Sequence, residues 1–158
     1  MGCLGTCFRV PIALLLGYAA MMIIVMVAFT VAFLALPRES VYELQSWQPS
    51  TLWLALDIGI CLVAGFIGGA VATMIGRKRA GILLAFIVVI VSLVVAWSVQ
   101  SAPRDLEGRP EFPTKDMSFM DGGKWTDMPS WMPWAHGGIG FISVLMGTSF
   151  AGRRSKHE

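Results

Sequence analysis

The sequence has few charged residues and few groups that carry chemistry. Only 14% of its 158 residues are charged, against 56% hydrophobic residues, a balance that excludes an ordinary water-soluble domain. No stretch has a nucleophile set, a haem ligand pair or the cysteine spacing of an iron–sulfur cluster. Cys3 and Cys7 precede the first apolar segment and Cys61 lies inside the second, so we expect no extracytoplasmic disulfide. No cofactor and no bound metal are expected.

What the chain does have is four long apolar segments. They cover residues 10–36, 52–75, 80–100 and 131–151. Each approaches or exceeds the ~20 residues with which a helix crosses ~30 Å of hydrocarbon, whereas barrel strands would be about half as long and would alternate in polarity. The sequence therefore predicts an all-α membrane protein, a single domain over residues 1–158 with four transmembrane helices and two outer loops, 37–51 and 101–130.

The basic residues are placed beside these segments. They follow the second and the fourth of them, as Arg77, Lys78, Arg79, Arg153, Arg154 and Lys156. Because cytoplasmic loops are enriched in Lys and Arg, this placement predicts that both termini lie on the cytoplasmic side of a bacterial inner membrane. A nucleic-acid surface is the competing interpretation. Each basic run directly adjoins a span, so we expect the lipid bilayer and no nucleic acid as a partner.

Two short patterns flank the first span. Gly2 and Thr6 fit the myristoylation pattern and Cys3 is a palmitoylation candidate, but a multi-span chain gains little from one acyl chain, so we interpret the match as chance. After the span, Ser40 and Glu43 have the spacing of a capping box. This spacing, with apolar residues following at helical intervals as far as position 47, predicts a short interfacial helix.

Small residues follow one face of the second segment and one face of the fourth. They are Gly65, Gly69, Ala72, Gly76, Gly140, Ser143, Gly147 and Ala151. The Gly65-x-x-x-Gly69 spacing allows two helix backbones to approach closely, so we expect a helix neighbour at each stripe. The tripeptide GFI occurs at 65–67 and at 140–142, and a basic cluster follows each, which favours two repeated helical hairpins. A coincidental match is the alternative.

Asp57 and His136 are the candidate polar pair of the bilayer. Counted from the basic ends of their spans, they lie within about one turn of each other in depth. Two interpretations remain open. The pair could move protons or bind a polar head group, or each residue could simply lie at the hydrated rim, where a helix N-terminus favours an anion. No ionisable residue occurs in the inner half of any span, which argues against a transporter.

Aromatic and sulfur-containing side chains gather on the predicted outer face. All six tryptophans belong to it: Trp47, Trp53, Trp97, Trp125, Trp131 and Trp134. Interfacial anchoring explains such a belt, and a docking surface for a partner is the alternative. Four methionines of the second outer loop and its border, Met117, Met120, Met128 and Met132, fit a sparse thioether set for Cu(I). Ordinary filling of apolar gaps is the preferred interpretation.

The second and fourth spans resemble those of small four-span bacterial inner-membrane proteins of no assigned function. These share a G-G-x-x-A second span with a basic turn and a Pro/Trp start of a Gly-rich fourth span ending in Gly-Arg-Arg. The matching residues here are Gly68, Gly69, Ala72, Arg77 to Arg79, Pro129, Trp131 and Gly152 to Arg154. The resemblance covers about half of the chain and implies the four-span fold without any activity.

Two functional hypotheses follow from these patterns. The first is a non-enzymatic accessory or scaffold subunit that packs against a membrane-protein partner or forms a homo-oligomer. The second is a lipid- or quinone-binding membrane enzyme or redox subunit that uses Asp57 and His136.

Overall fold

The chain is almost entirely helical. The computed structural model describes residues 3–103, 106–114 and 117–154; it is 79% helical, with no strand among those residues, which confirms the predicted all-α class. The elements are α1 (Cys3–Ala35), α2 (Arg38–Val41), α3 (Thr51–Ser101), α4 (Phe119–Trp125) and α5 (Met132–Arg154). The acylation pattern at Gly2 lies outside the described residues.

Within the part of the chain that the structure describes, two helices, rather than four, are long and apolar enough to cross a membrane by length and composition. They are Phe8–Ala35 and Thr51–Ser101. The second and third predicted segments belong to the single element α3, which has 51 residues. The fourth segment forms α5, which has 23 residues but carries a histidine, serines and a threonine among its glycines and is therefore less apolar.

Helix α3 folds back on itself at Arg77. This residue has φ 65° and ψ 177° inside an otherwise helical run, and it separates a first limb (51–76) from a second limb (78–101). A Cβ atom at Gly81 would overlap the Thr73 hydroxyl, eight residues earlier, which an unbroken helix would keep about 12 Å away. Ala72 shares a buried cluster with Leu84 of the second limb. The two limbs therefore pack as an antiparallel hairpin.

Helix α5 lies parallel to the first limb of α3 along residues that we call the glycine seam: Gly65, Gly69, Gly140, Ser143 and Gly147. A Cβ atom at Gly65 would overlap the Ser143 hydroxyl, one at Gly69 the Val144 carbonyl, and one at Gly147 the Phe66 carbonyl. The helices thus meet backbone against backbone. In lipid, dispersion between such closely approaching backbones replaces hydrophobic exclusion as the main attraction.

Helix α1 packs antiparallel to the first limb. A Cβ atom at Gly17 would lie 2.9 Å from Ala72 Cβ and 3.0 Å from Leu84 Cδ2, so this glycine touches both limbs of α3. Near the start of α1, Arg9 Nε donates a hydrogen bond to the Ile75 carbonyl at 2.5 Å. The start of α1, the reversal at Arg77 and the last turn of α5 therefore share one end of the bundle, which we call the basic end.

The other end of the bundle, the aromatic end, is closed by two loops. In the first loop, the prediction of a helix that starts at Ser40 and continues to position 47 is wrong. Helix α2 ends at Val41 and has Pro37 at its N-cap without a side-chain hydrogen bond. Beyond it the chain turns back, because Ser50 N bonds the Val41 carbonyl at 2.9 Å and the Ser50 hydroxyl bonds the Ser40 carbonyl.

The longer loop, between α3 and α5, contains the short helix α4, which the sequence did not predict. Ser118 caps α4 by accepting a hydrogen bond from Asp121 N at 3.2 Å. The Gly122-Gly123 pair does not break this helix. A Cβ atom at Gly122 would lie 2.8 Å from the Tyr42 hydroxyl and 3.1 Å from the Phe33 ring, so this glycine allows α4 to lie against the first loop.

Candidate functional site

The structure brings Asp57 and His136 together at the aromatic end. Asp57 lies six residues past the start of α3 at Thr51, where the Ser50 hydroxyl caps the helix by accepting a hydrogen bond from Trp53 N at 3.1 Å. His136 lies four residues past the start of α5 at Met132. Because the two helices run parallel along the glycine seam, these two residues near the helix starts meet at the same level. His136 Nε2 lies 2.7 Å from Asp57 Oδ2.

A third group, the Cys61 thiol, completes this cluster. Cys61 Sγ donates to Asp57 Oδ1 at 3.9 Å, and the carboxylate oxygen, thiol sulfur and imidazole nitrogen all lie within 4.8 Å of one another. The Asp57 side chain is 6% exposed and that of His136 is 30% exposed. An isolated buried carboxylate would be costly, and here both oxygens have partners. We call Asp57, Cys61 and His136 the polar cluster.

The sequence placed Asp57 and His136 in one pair but left Cys61 out. A signal for Cys61 was present, because residues four apart occupy one helix face and Cys61 follows Asp57 at that spacing. In the sequence interpretation Cys61 was a cysteine within the second apolar segment, with no part in the pair.

A cavity of about 250 Å³ lies beside the polar cluster, with Asp57 in its wall. Phe29 and Phe33 of α1 and Trp53 of α3 line it, and Gly122 to Thr126 of the long loop contributes residues at its edge. Four of its nine lining residues are aromatic and one is a carboxylate. Such a composition, apolar walls with a few placed polar groups, is typical of small-molecule sites.

A cluster of buried side chains, four of them aromatic, holds the loops over this cavity. We call it the aromatic cluster, and its members are Phe33, Val41, Tyr42, Trp47, Trp53 and Met117. Trp47 stands edge to face against Tyr42 at 5.7 Å and against Trp125 at 5.6 Å. Its indole N–H donates to the Pro110 carbonyl at 3.1 Å. The cluster therefore ties both loops to the helix ends.

Tyr42 contributes a polar contact to this cluster. Thr126 donates its hydroxyl proton to the Gly122 carbonyl at 2.5 Å, so in the 3.2 Å contact between the Tyr42 and Thr126 hydroxyls the phenol is the donor. Burial raises the pKa of Tyr42, while the bond to Thr126 and the positive charge of Arg38 act in the opposite direction. The phenol is therefore neutral at physiological pH and keeps its proton for this bond.

The six tryptophans do not form one surface. Trp47 and Trp53 are buried in the aromatic cluster, at 5% and 6% exposure, whereas Trp97, Trp131 and Trp134 are 69%, 52% and 40% exposed. A docking surface built from tryptophans would thus consist of these last three. The methionines also lie in different environments, since Met132 is 1% exposed and Met120 is 75% exposed.

The remaining predicted packing residues lie inside the bundle. Ala72 is fully buried and Ala151 is 8% exposed. A Cβ atom at Gly76 would lie 2.6 Å from Ala13 Cβ of α1, and one at Gly140 would lie 2.7 Å from Val88 of the second limb. Both predicted stripes are therefore occupied by helices of the same chain.

Comparison with known proteins adds no relative. No family model, no curated protein and no solved structure matches the chain. The functional conclusion therefore depends on the geometry of this chain alone.

Proposed function

We propose that this is an integral membrane protein that crosses the bilayer four times, as α1, the two limbs of α3 and α5. Each limb holds about half of the 51 residues of α3, or ~38 Å at ~1.5 Å per residue. Helix α5, with 23 residues, spans ~34 Å. These lengths exceed a ~30 Å hydrocarbon core. The lower apolarity of α5 suits a helix whose Ser143 and Thr148 are buried at 1% exposure and do not meet lipid.

The orientation we propose has both termini on the cytoplasmic side of a bacterial inner membrane. The support is the basic end, where Arg9 meets the α3 reversal and where exposed Arg77, Lys78, Arg79 and Arg153 all lie. A bundle whose excess of positive charge lies at one end is oriented with that end inward.

We further propose that the protein is a non-enzymatic accessory or scaffold subunit that receives a helix from a membrane-protein partner or a second copy of itself. One observation carries this proposal. An open groove of about 530 Å³ runs between α1 and the first limb of α3, and its lining is apolar throughout. Three small residues, Ala28, Ala55 and Gly59, lie in it, and a Cβ atom at Gly59 would meet no atom within 4 Å.

This groove differs from the glycine seam in being unfilled by the chain itself. Ala55 and Gly59 repeat the small-x-x-x-small spacing that admits a second helix backbone. The occupied seam and the open groove thus have the same kind of surface, and of these two described surfaces the groove is the one available to another helix.

The test is purification in a mild detergent combined with a groove-filling variant. We expect the wild-type chain to purify with a stoichiometric partner or as a homo-oligomer. Gly59→Leu should abolish that association, because its side chain occupies the space of the incoming backbone. Ala19→Leu, at an exposed position of α1 outside the groove, is the matched control and should leave association intact. A monomeric wild-type chain without a partner would contradict the proposal.

A second candidate function is favoured by the cavity beside Asp57. Its aromatic lining and single carboxylate suit a lipid or quinone head group, with Asp57 and His136 as the polar contacts. The same purification separates the two functions. A lipid or quinone that copurifies with a partner-free chain, and that is lost in Asp57→Asn, would support this candidate instead.

A further inference from the structure

We propose that Asp57, Cys61 and His136 form a binding site for a zinc-class divalent cation. The three ligand atoms already lie within 4.8 Å of one another. In a tetrahedral zinc site with bonds of about 2.0–2.3 Å, ligand atoms are separated by about 3–4 Å. The His136–Asp57 separation of 2.7 Å is that of a shared proton. A cation in place of that proton moves the two groups apart by less than ~1 Å.

The donor set selects the class of metal. Imidazole nitrogen, carboxylate oxygen and thiolate sulfur are the three ligand types that zinc uses in proteins. Mg²⁺ and Ca²⁺ favour all-oxygen sites, and Cu(I) favours sulfur. Three protein ligands leave a fourth position for water or for an external ligand, as in zinc sites of the open type.

Charge balance favours the same ion. Asp57 is 4% exposed and lies beside apolar helix surface, where an uncompensated charge is costly. When the cation binds, the Cys61 thiol releases its proton to solvent, and one carboxylate, one thiolate and one neutral imidazole around a divalent cation give a site with zero net charge. The cluster therefore accepts zinc without creating a net buried charge.

The ligands are held on rigid elements and are reached from the aromatic end. Asp57 and Cys61 lie one turn apart on α3, and the backbone contacts of the glycine seam fix α5, with His136, at that level. Since Asp57 also lines the 250 Å³ cavity beneath the long loop, a cation has a path to the cluster that avoids the seam.

The experiment uses the full chain in detergent with Cys3→Ser and Cys7→Ser, which removes the other two thiols, and Co²⁺ as a spectroscopic substitute for zinc. We expect one equivalent of Co²⁺ to bind with a thiolate-to-cobalt charge-transfer band, and zinc to displace it. Cys61→Ser, a change of one atom, should remove the band and weaken zinc binding at least ~10-fold. Asp57→Asn and His136→Gln should each weaken binding to a similar extent.

A second variant keeps the assignment testable if ligand removal disturbs folding. Cys61→His retains a zinc ligand, so it should restore zinc binding while the thiolate band stays absent. Helix content measured by circular dichroism accompanies each variant. Saturable cobalt binding that persists unchanged in Cys61→Ser, or no stoichiometric binding by the natively helical parent, would overturn the assignment. Neither result bears on the groove between α1 and α3, so the two proposals fail separately.

Discussion

Towards the basic end of the bundle the helices meet backbone against backbone, whereas at the aromatic end large side chains and a cavity separate them. Gly69 and Gly147 leave no space for even a methyl group. Around Trp53, by contrast, aromatic rings enclose about 250 Å³ beside Asp57. Close backbone packing fixes how the helices are arranged and leaves no space for a ligand. The looser end can hold polar groups, and the polar cluster lies there.

The largest expected effect is the labelling difference between the two ends. The test uses a chain whose native cysteines are replaced by serine and which carries one new cysteine, in place of either Lys78 at the basic end or Leu44 at the aromatic end. Both positions are exposed. With a membrane-impermeant maleimide on intact cells, Leu44→Cys should label fully and Lys78→Cys only after permeabilisation, because basic loops remain inside. Arg153→Cys should behave like Lys78→Cys. Labelling of positions 78 and 153 from opposite sides would exclude four crossings.

The next effect concerns the glycine seam. Gly147→Ala places a methyl group against the Phe66 carbonyl, a backbone atom that cannot move aside, and should cost about 3 kcal/mol of unfolding free energy. Gly138→Ala in the same helix is the control. A Cβ atom there meets nothing within 4 Å, so better helix propensity should leave it neutral or stabilise it by up to ~1 kcal/mol. Loss of helicity on titration with a denaturing detergent measures both.

If Gly147→Ala were as stable as Gly138→Ala, the close approach of the two helices at the seam would not limit the size of the side chain at position 147. In that case the bundle would tolerate added volume at both of its ends, and the contrast between them would disappear.

The two ends of the bundle also differ in how well their structure could be predicted from the sequence. The length of the apolar segments was enough to predict the helices. A helix in lipid makes all of its backbone hydrogen bonds within itself, so it needs only sufficient length and apolar side chains. The apolar pattern separated residues 52–75 from residues 80–100, and the structure has them as the two antiparallel limbs of α3. It did not show that the chain reverses at a left-handed Arg77, with φ 65°. A non-glycine residue in that conformation has no sequence signal here.

The loops were predicted less well because tertiary contacts override local patterns there. Ser40 and Glu43 have capping-box spacing, yet Ser50 bonds the Ser40 carbonyl and burial of Trp47 draws the chain away from a helix. Gly122 belongs to a segment predicted only as a loop, yet it lies inside α4, and its missing side chain allows close packing against Phe33.

Part of the polar cluster could be predicted from the sequence. Depth along the spans put Asp57 and His136 at one level, and the structure has them 2.7 Å apart. Which way each helix faces about its own axis cannot be read from one sequence. The four-residue spacing puts Cys61 on the same helix face as Asp57, but the sequence did not show that this face turns towards His136.

The smallest effect should appear at the aromatic end and stay local. Trp47→Phe keeps an aromatic ring between Tyr42 and Trp125 but removes the indole hydrogen bond to Pro110, worth about 1 kcal/mol. Since the loop between α3 and α5 is tied down by such contacts, we expect trypsin to cleave it at the exposed Lys124 about 5-fold faster, by local opening. Helicity of the bundle should not change. Trp97→Phe, at a residue 69% exposed, should leave the cleavage rate unchanged. Equal acceleration in both variants would mean that Trp47 does not hold the loop, whereas a global loss of helicity would mean that the two ends unfold as one unit.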